Sequence, residues 1–172
     1  LSGGQIDGYG NTNVTAVGPL DRPKVKLGGG GGGCNISATI GQLTLWTTRH
    51  RSGRTLVSSC DFITDIGHVT PAGDRKALGY SGGGPQWLVT ELGIFDYDGS
   101  GIARLREMWP DVTEDDVRSS TGFEFEVASD LGTVEPPSPA ELAAVRAIDP
   151  LGVRRSEFDP GELQRTFEVA LH

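Results

Sequence analysis

Six consecutive glycines, residues 28–33, run directly into Cys34-Asn35-Ile36-Ser37. Glycine backbone can turn several N–H groups toward one point, and a helix starting behind them adds the positive end of its dipole. Such a loop can hold an anion, or the oxyanion of a tetrahedral intermediate. No Lys-Ser or Lys-Thr follows, so the run is not a nucleotide P-loop. Six glycines in a row match almost any glycine fingerprint, so they assign no dinucleotide site. The competing reading is a plain surface loop. A strand candidate at 24–27 and a helix candidate at 35–42 flank the run and favour the receptor.

A second pattern is Asp96-Tyr97-Asp98-Gly99-Ser100-Gly101, with Glu107 in the twelfth place from Asp96. It follows the ligand spacing of an EF-hand calcium loop. Against it, Arg104 stands ninth and Ala103 eighth, the residues before it are strand formers, and Pro110 cuts short any exiting helix. The alternative is a polar turn between two strands, and no metal is assigned. A third pattern is Gln5-Ile6-Asp7-Gly8-Tyr9-Gly10-Asn11-Thr12-Asn13. Asp and Asn beside glycine make turns, so Asp7, Gly10, Asn11 and Asn13 are expected to bond local backbone.

The single titratable groups say less. His50 lies among Arg49, Arg51 and Arg54 and is expected to be solvated. His68, with Asp65 nearby in sequence, is a weak acid–base candidate. Glu91 ends a strand-like run. No Ser-His-Asp spacing and no cluster of His and Cys is present.

These residues need elements to position them. Leu43, Leu45 and Thr47 alternate with Thr44, Trp46 and Thr48, which predicts a strand at 43–48. Residues 49–54 read as a turn after which 55–57 pairs back on that strand. Residues 60–66 continue extended, and 67–85 read as a loop. Strands are predicted at 15–17, 86–90, 92–95, 102–108 and 123–127. Thr113, with Asp116 three residues on, predicts a capped helix at 113–120. Residues 128–138 read as a Pro-rich linker. Ser138-Pro139-Ala140-Glu141 opens a helix that runs to about Ile148, before Pro150. A weaker helix is expected at 162–170. Strands intermixed with helices point to a single layered α/β domain over 1–172.

Composition narrows the partners. The chain has 172 residues with 15 Lys and Arg against 23 Asp and Glu, a net charge of −8. That balance argues against a nucleic-acid surface and a polybasic membrane patch. No apolar run is long enough to span a bilayer. Two cysteines are too few for a disulfide scaffold, and the cytoplasm is the simplest compartment. The 26 glycines among 172 residues are about twice the usual share. The first residue is Leu1 rather than Met, which suggests the continuation of a longer chain.

Taken in order, four stretches resemble the β-subunits of the class I coenzyme A transferase family, and within it the glutaconate CoA-transferase branch with its actinobacterial relatives. They are Gln5 to Asn13; Lys24 to Ser37; Val89-Thr90-Glu91-Leu92-Gly93-Ile94-Phe95-Asp96; and Trp109-Pro110-Asp111-Val112-Thr113 through Thr121-Gly122-Phe123-Glu124. Ile148-Asp149-Pro150 also fits the branch. The resemblance implies a three-layer α/β/α CoA-transferase-like fold lacking its N-terminal portion. It implies an α-subunit partner in a heterodimer or heterotetramer, and an acyl-CoA and a carboxylic acid as substrates. No permanently bound cofactor is implied, coenzyme A being carried as the substrate thioester. In that family a glutamate carboxylate attacks the thioester and becomes a glutamyl-CoA. By the match, Gly30, Gly31, Gly32, Gly33 and Asn35 would form the oxyanion and thioester cradle. The family's nucleophilic Glu lies several tens of residues before the Gln-x-Asp motif, outside this sequence. Cys34 stands where a small residue is common and reads as a bystander. A sibling branch hydrolyses a carbon–carbon bond in a CoA-linked steroid-ring fragment, with its catalytic Glu in the α-subunit. A scaffolding role and a calcium module complete the alternatives.

Overall fold

The structure, a computed structural model, describes residues 1–158. The helix expected at 162–170 lies outside the described residues. The chain divides into two compact units, Leu1–Thr133 and Val134–His172.

The first unit opens with two short antiparallel pairs, β1 (Gln5–Ile6) with β2 (Thr12–Asn13) and β3 (Ala16–Val17) with β4 (Val25–Lys26). Helix α1 (Gly33–Thr39) and strand β5 (Leu43–Thr47) follow. A small hairpin, β6 (Val69–Thr70) with β7 (Gly73–Asp74), sits inside the stretch expected to be loop. Then come β8 (Pro85–Thr90), β9 (Gly93–Tyr97), β10 (Ala103–Met108), α2 (Glu114–Ser120) and β11 (Glu126–Thr133). The main sheet has the order β11-β10-β9-β8-β5. Strands β8, β9 and β10 form an antiparallel meander, and β5 and β11 join its two sides in parallel.

One face of this sheet makes the core. Leu43, Leu45, Leu88, Phe95, Ala103 and Leu105 point into it and meet Ile6, Leu56, Leu92, Val117 and Phe125. The Phe125 ring stands edge-on to Phe95 at 5.4 Å. Trp46 and Trp87 point the other way and are exposed. The alternation read at 43–48 is therefore the strand's real in–out pattern.

The helix starts behave as their sequences ask. Thr113 and Asp116 form a reciprocal capping box on α2. Ser138 and Glu141 do the same on α3 (Pro139–Ile148), the helix of the second unit. There Asp149 accepts from the backbone N–H of Val153 at 2.8 Å, opening a short 3₁₀ turn, Val153–Glu157.

Three expectations change. Residues 55–57 do not pair back on β5. They flank Ile6 instead, with Ile6 N donating to Thr55 O at 2.8 Å and Val57 N to Ile6 O at 2.9 Å. Leu56 and Ile6 are both fully buried in the same cluster, so the core and not the local turn decides the pairing. The last strand begins at Glu126 and runs on through Thr133, because β10 offers it a parallel edge along Leu105↔Val127 and Met108↔Thr133. The Pro-rich stretch accordingly starts after Thr133. The calcium spacing, as its polar-turn alternative has it, belongs to a β-hairpin. Asp96 faces Arg104 across β9 and β10 and takes its guanidinium at 2.9 and 2.7 Å. Asp98 folds onto the turn, accepting from Ser100 N at 2.8 Å and Ile102 N at 3.0 Å. Glu107 lies on β10, so these oxygens do not converge on an ion.

The third change is His50, which is fully buried rather than solvated. Its Nδ1 lies 3.0 Å from Thr90 Oγ1, and its Nε2 lies 2.8 Å from Thr121 Oγ1. The ring thus ties the end of β5 to the β8–β9 turn and to the end of α2. Burial, reinforced by the Arg51 charge, holds its pKa down from 6.5 to about 3. The unfolded chain takes a proton at His50 below pH 6.5, while the folded ring refuses it down to about pH 3. Stability from this group is therefore complete above pH 6.5 and is lost as the pH falls through that window. Urea denaturation is expected to show His50→Gln losing an acid-side slope of up to about 1.4 kcal/mol per pH unit that the wild type retains. Parallel pH profiles for the two proteins would contradict this.

Candidate functional site

The glycine run leaves β4 and enters α1 with a fixed shape. Leu27 N donates to Thr15 O at 3.0 Å and Gly29 N to Val14 O at 2.7 Å. Gly29 and Gly31 then adopt positive φ, 90° and 52°, which side-chain-bearing residues rarely reach. Gly33 N closes a turn onto Gly30 O at 2.7 Å. The expected helix at 35–42 thus begins two residues earlier, inside the glycines.

Two glycines are packed, and the rest are open. A side chain on Gly30 would strike Thr64 at 2.6 Å, and one on Gly33 would strike Asp65 Oδ1 at 2.7 Å. Nothing stands within 4 Å of the corresponding position on Gly28, Gly29, Gly31 or Gly32. The backbone N–H groups of Gly30, Gly31 and Gly32 make no hydrogen bond among the described residues. The outcome is a row of unused donors on an exposed crest, held from below by residues 64 and 65. Asn35 and Cys34 lie on the first turn of α1 and are exposed.

Asp65 is the floor of this arrangement. It is 3% exposed, and its Oδ2 accepts from Thr12 Oγ1 at 2.5 Å. Its Oδ1 is buried with no hydrogen-bond partner among the described residues and rests against Gly33. The Asp7 motif holds this floor in turn. Asp7 accepts from the backbone N–H of Tyr9 and of Asn11, both at 3.0 Å. Its two oxygens also take the Asn11 amide at 3.1 and 2.9 Å. Asn11 then reaches across, its amide donating to Val69 O and its carbonyl accepting from Gly67 N, each at 2.8 Å. Asn13 joins Gln5 Oε1 and Ala16 O at 2.7 Å each. Gly10 has φ 74° and packs against Pro85 and Tyr97, where a Cβ would not fit. Burial raises the Asp7 carboxyl above its ordinary range, opposed by the Asn11 and Tyr9 bonds.

The other titratable groups are structural. His68 Nε2 contacts Pro85 O at 2.6 Å, and its ring lies 4.9 Å from Tyr97. Burial lowers its pKa. Cys60 is pushed well up, chiefly by burial, so its thiol is inert. Glu91 Oε1 accepts from Arg51 N at 2.7 Å at the far end of the sheet's meander. Among the described residues no three His, Cys, Asp or Glu side chains gather to hold a metal. Among them, too, no helix is long and apolar enough to cross a membrane.

The residues that sequence reasoning missed are Asp65 as a floor and Arg75. The guanidinium of Arg75 is buried and bonds only backbone carbonyls. Nothing in its sequence neighbourhood, Gly73-Asp74-Arg75-Lys76, signals that role.

The packing difference along the loop is testable. Gly33→Ala is expected to cost about 1–3 kcal/mol, since the new Cβ displaces a buried carboxylate. Gly32→Ala, with φ −88° and open space, is expected to stay within about 1 kcal/mol of wild type. Denaturant midpoints measure both; equal effects would contradict the asymmetry.

No protein-family model matches the chain. Curated relatives do. The chain is 33% identical over 150 residues to the β-subunit of the 3-oxoadipate CoA-transferase of Pseudomonas knackmussii, covering 87% of this chain and 57% of that protein. It is 33% identical over 164 residues to the β-subunit of the glutaconate CoA-transferase of Acidaminococcus fermentans, covering 94% and 57%. It is 31% identical over 160 residues to the IpdB component of the cholesterol ring-cleaving hydrolase of Mycobacterium tuberculosis, covering 92% and 62%. The chain thus spans about three-fifths of the length of these relatives. Among solved structures, that of the glutaconate coenzyme A-transferase of Acidaminococcus fermentans matches with a TM-score of 0.72 at 29% identity, covering 94% of this chain and 58% of that one. The IpdAB structure of Rhodococcus jostii matches at 0.76 and 27%, covering 92% and 63%. A decarboxylase, AibA/AibB, matches at 0.73 and 28%, covering 92% and 59%. Sequence likeness along nearly the whole chain, joined to a shared fold, places the chain in the class I coenzyme A transferase family, among its β-subunits.

Proposed function

We propose that the chain forms part of the β-subunit of a heteromeric CoA-transferase, acting in the cytoplasm with an α-subunit partner. The observation that carries this reading is the row of unused N–H donors at Gly30, Gly31 and Gly32, fixed on a rigid floor. Donors of this kind are aimed at charge that develops in a transition state. In acyl transfer that charge sits on the carbonyl oxygen of the thioester.

The proposed chemistry is covalent catalysis by a carboxylate. A glutamate outside this sequence attacks the acyl-CoA carbonyl. The C–S bond breaks, giving an acyl-glutamyl anhydride and CoA thiolate. The thiolate attacks the glutamyl carbonyl, releasing the first carboxylate and leaving a glutamyl-CoA thioester. An acceptor carboxylate reverses the sequence and leaves as the new acyl-CoA. Each addition creates a tetrahedral oxyanion, which the N–H groups of Gly30, Gly31 and Gly32 would face with Asn35 exposed beside them, the Gly33 N–H being spent on Gly30 O. No proton needs a dedicated acid or base, in keeping with a loop that offers donors and no titratable side chain.

The second reading is a CoA-linked ring hydrolase. It draws on the likeness to the IpdB component of the ring-cleaving hydrolase and to the IpdAB structure.

The test uses the full-length protein co-purified with its partner. Acyl-CoA thioesters are incubated with and without acetate, and every CoA species is followed by mass spectrometry. The expected result is acetyl-CoA formed only when acetate is present. Acceptor-independent conversion of a cyclic acyl-CoA would replace the transferase by the hydrolase, and no conversion at all would overturn both. Within the loop, Gly32→Pro removes one N–H and is expected to lower kcat by about 10²–10³. Gly32→Ala keeps the N–H and is expected to keep the rate.

A further inference from the structure

Helix α1 lacks end devices of its own. Its first turn holds no acidic residue, its last turn no basic one, and Gly32 at the N-cap offers no side chain. A seven-residue helix without such aids depends on tertiary support. That support comes from residues 65–75 and from Gly82 and Gly83, whose N–H groups donate to Ala38 O at 3.0 Å and Ile40 O at 3.1 Å. Asp65 packs against Gly33 at the start of the helix. Arg75 lies at its other end, donating Nη2–H groups to Ser37 O at 2.6 Å and Ala38 O at 3.2 Å. A negative group at the N-terminus and a cation at the C-terminus both suit the helix dipole.

The same guanidinium holds the floor. Nη1 donates to Ile66 O and Gly67 O, each at 3.0 Å, and Nε donates to Gly82 O at 3.1 Å. All five N–H donors of Arg75 are thus engaged by carbonyls. The residue is 6% exposed, and none of these bonds is to a carboxylate. A guanidinium so occupied has nothing left to offer a ligand. Its effect is mechanical. Ser37 completes the joint, its hydroxyl donating to Cys34 O at 3.0 Å and accepting from Ile66 N at 3.2 Å.

We propose that Arg75 is a positioning residue for the glycine loop: by locking α1 to the 65–67 segment from behind, it sets where the N–H groups of Gly30, Gly31 and Gly32 point. This rests on the reading of that loop as the receptor for the thioester oxygen. Arg75 touches neither substrate nor reacting atom. It acts through α1 and through the segment carrying Asp65, both of which meet the loop where it enters the helix at Gly33.

The experiment uses the full-length protein in complex with its partner and compares Arg75→Met, Arg75→Ala and Arg75→Lys with wild type. Arg75→Lys keeps the charge but has three donors, so it serves where the larger loss of bonds impairs folding. Two readouts are taken. In steady-state assays kcat is expected to fall by about 10- to 100-fold in Arg75→Lys, with KM for the acyl-CoA changed by less than about 3-fold. Guanidinium ion added to Arg75→Ala is expected to restore part of kcat. In hydrogen–deuterium exchange, amides of residues 30–40 are expected to exchange at least about 10-fold faster in the variants, while β8, β9 and β10 keep their wild-type rates.

Unchanged kcat and unchanged α1 exchange in Arg75→Met would overturn the proposal. So would a rise in KM with kcat intact, which would mark a ligand contact, or faster exchange spread equally through the sheet, which would mark general destabilisation. If the wild-type complex turns over no acyl-CoA, the functional reading fails, and the exchange pattern of α1 still decides the role of Arg75.

Discussion

Arg75 places a full positive charge inside the protein with five carbonyl oxygens around it and no carboxylate among them. Burial of such a group is tolerable only when every donor is used. That condition makes the arrangement strict. The carbonyls come from α1, from the 66–67 segment and from Gly82, and any one of them moving away leaves a buried N–H unpaired. The geometry of the glycine loop follows from this constraint, because the loop is the connection into the helix that the guanidinium holds. Burial draws the Arg75 pKa down somewhat, and an arginine stays charged throughout the physiological range.

A second layer fixes the first. Asp7 organises the turn at residues 7–11, and Asn11 carries that order across to Gly67 and Val69. Gly67 lies so close to the backbone of Tyr9 and Asn11 that a Cβ has no room. Thr12 then holds Asp65, and Asp65 supports Gly33. Asp7, Asn11 and Asn13 are thus buried, and their contribution to the loop is indirect. An open crest of donors on a rigid base suits a transition-state receptor, since donors fixed in advance need no reorganisation when charge appears.

Much of this was legible in the sequence, for local reasons. The in–out alternation of β5 is a two-residue period. The capping boxes at Thr113 and Ser138 are three-residue patterns. The glycine run announces unusual backbone by composition alone. The ordered motifs from Gln5 to Glu124, with Ile148-Asp149-Pro150 after them, pointed to the family through their succession, which no single motif could do. What stayed hidden depends on distance along the chain. His50 meets Thr90 and Thr121, which are 40 and 71 residues away, so its arginine-rich neighbours gave a misleading picture of solvent. Arg75 reaches Ser37 across 38 residues. The calcium-like spacing was real, yet Asp96 is paired with Arg104 across a hairpin, a fact that spacing does not contain. The start of β11 was misplaced because its alternation begins at Phe123, whereas the edge of β10 that it pairs with begins opposite Glu126.

In the proposed reaction the N–H groups of the glycine loop hold the thioester oxygen. Isotope-edited infrared spectroscopy of an acyl-CoA labelled at the thioester carbonyl, bound to the full-length complex, tests it directly. Hydrogen bonds from the loop should lower the carbonyl stretching frequency relative to free acyl-CoA, and Gly32→Pro should reverse part of that shift while the ligand stays bound. A carbonyl frequency that does not move on binding, or that moves equally in Gly32→Pro, would contradict this role of the loop.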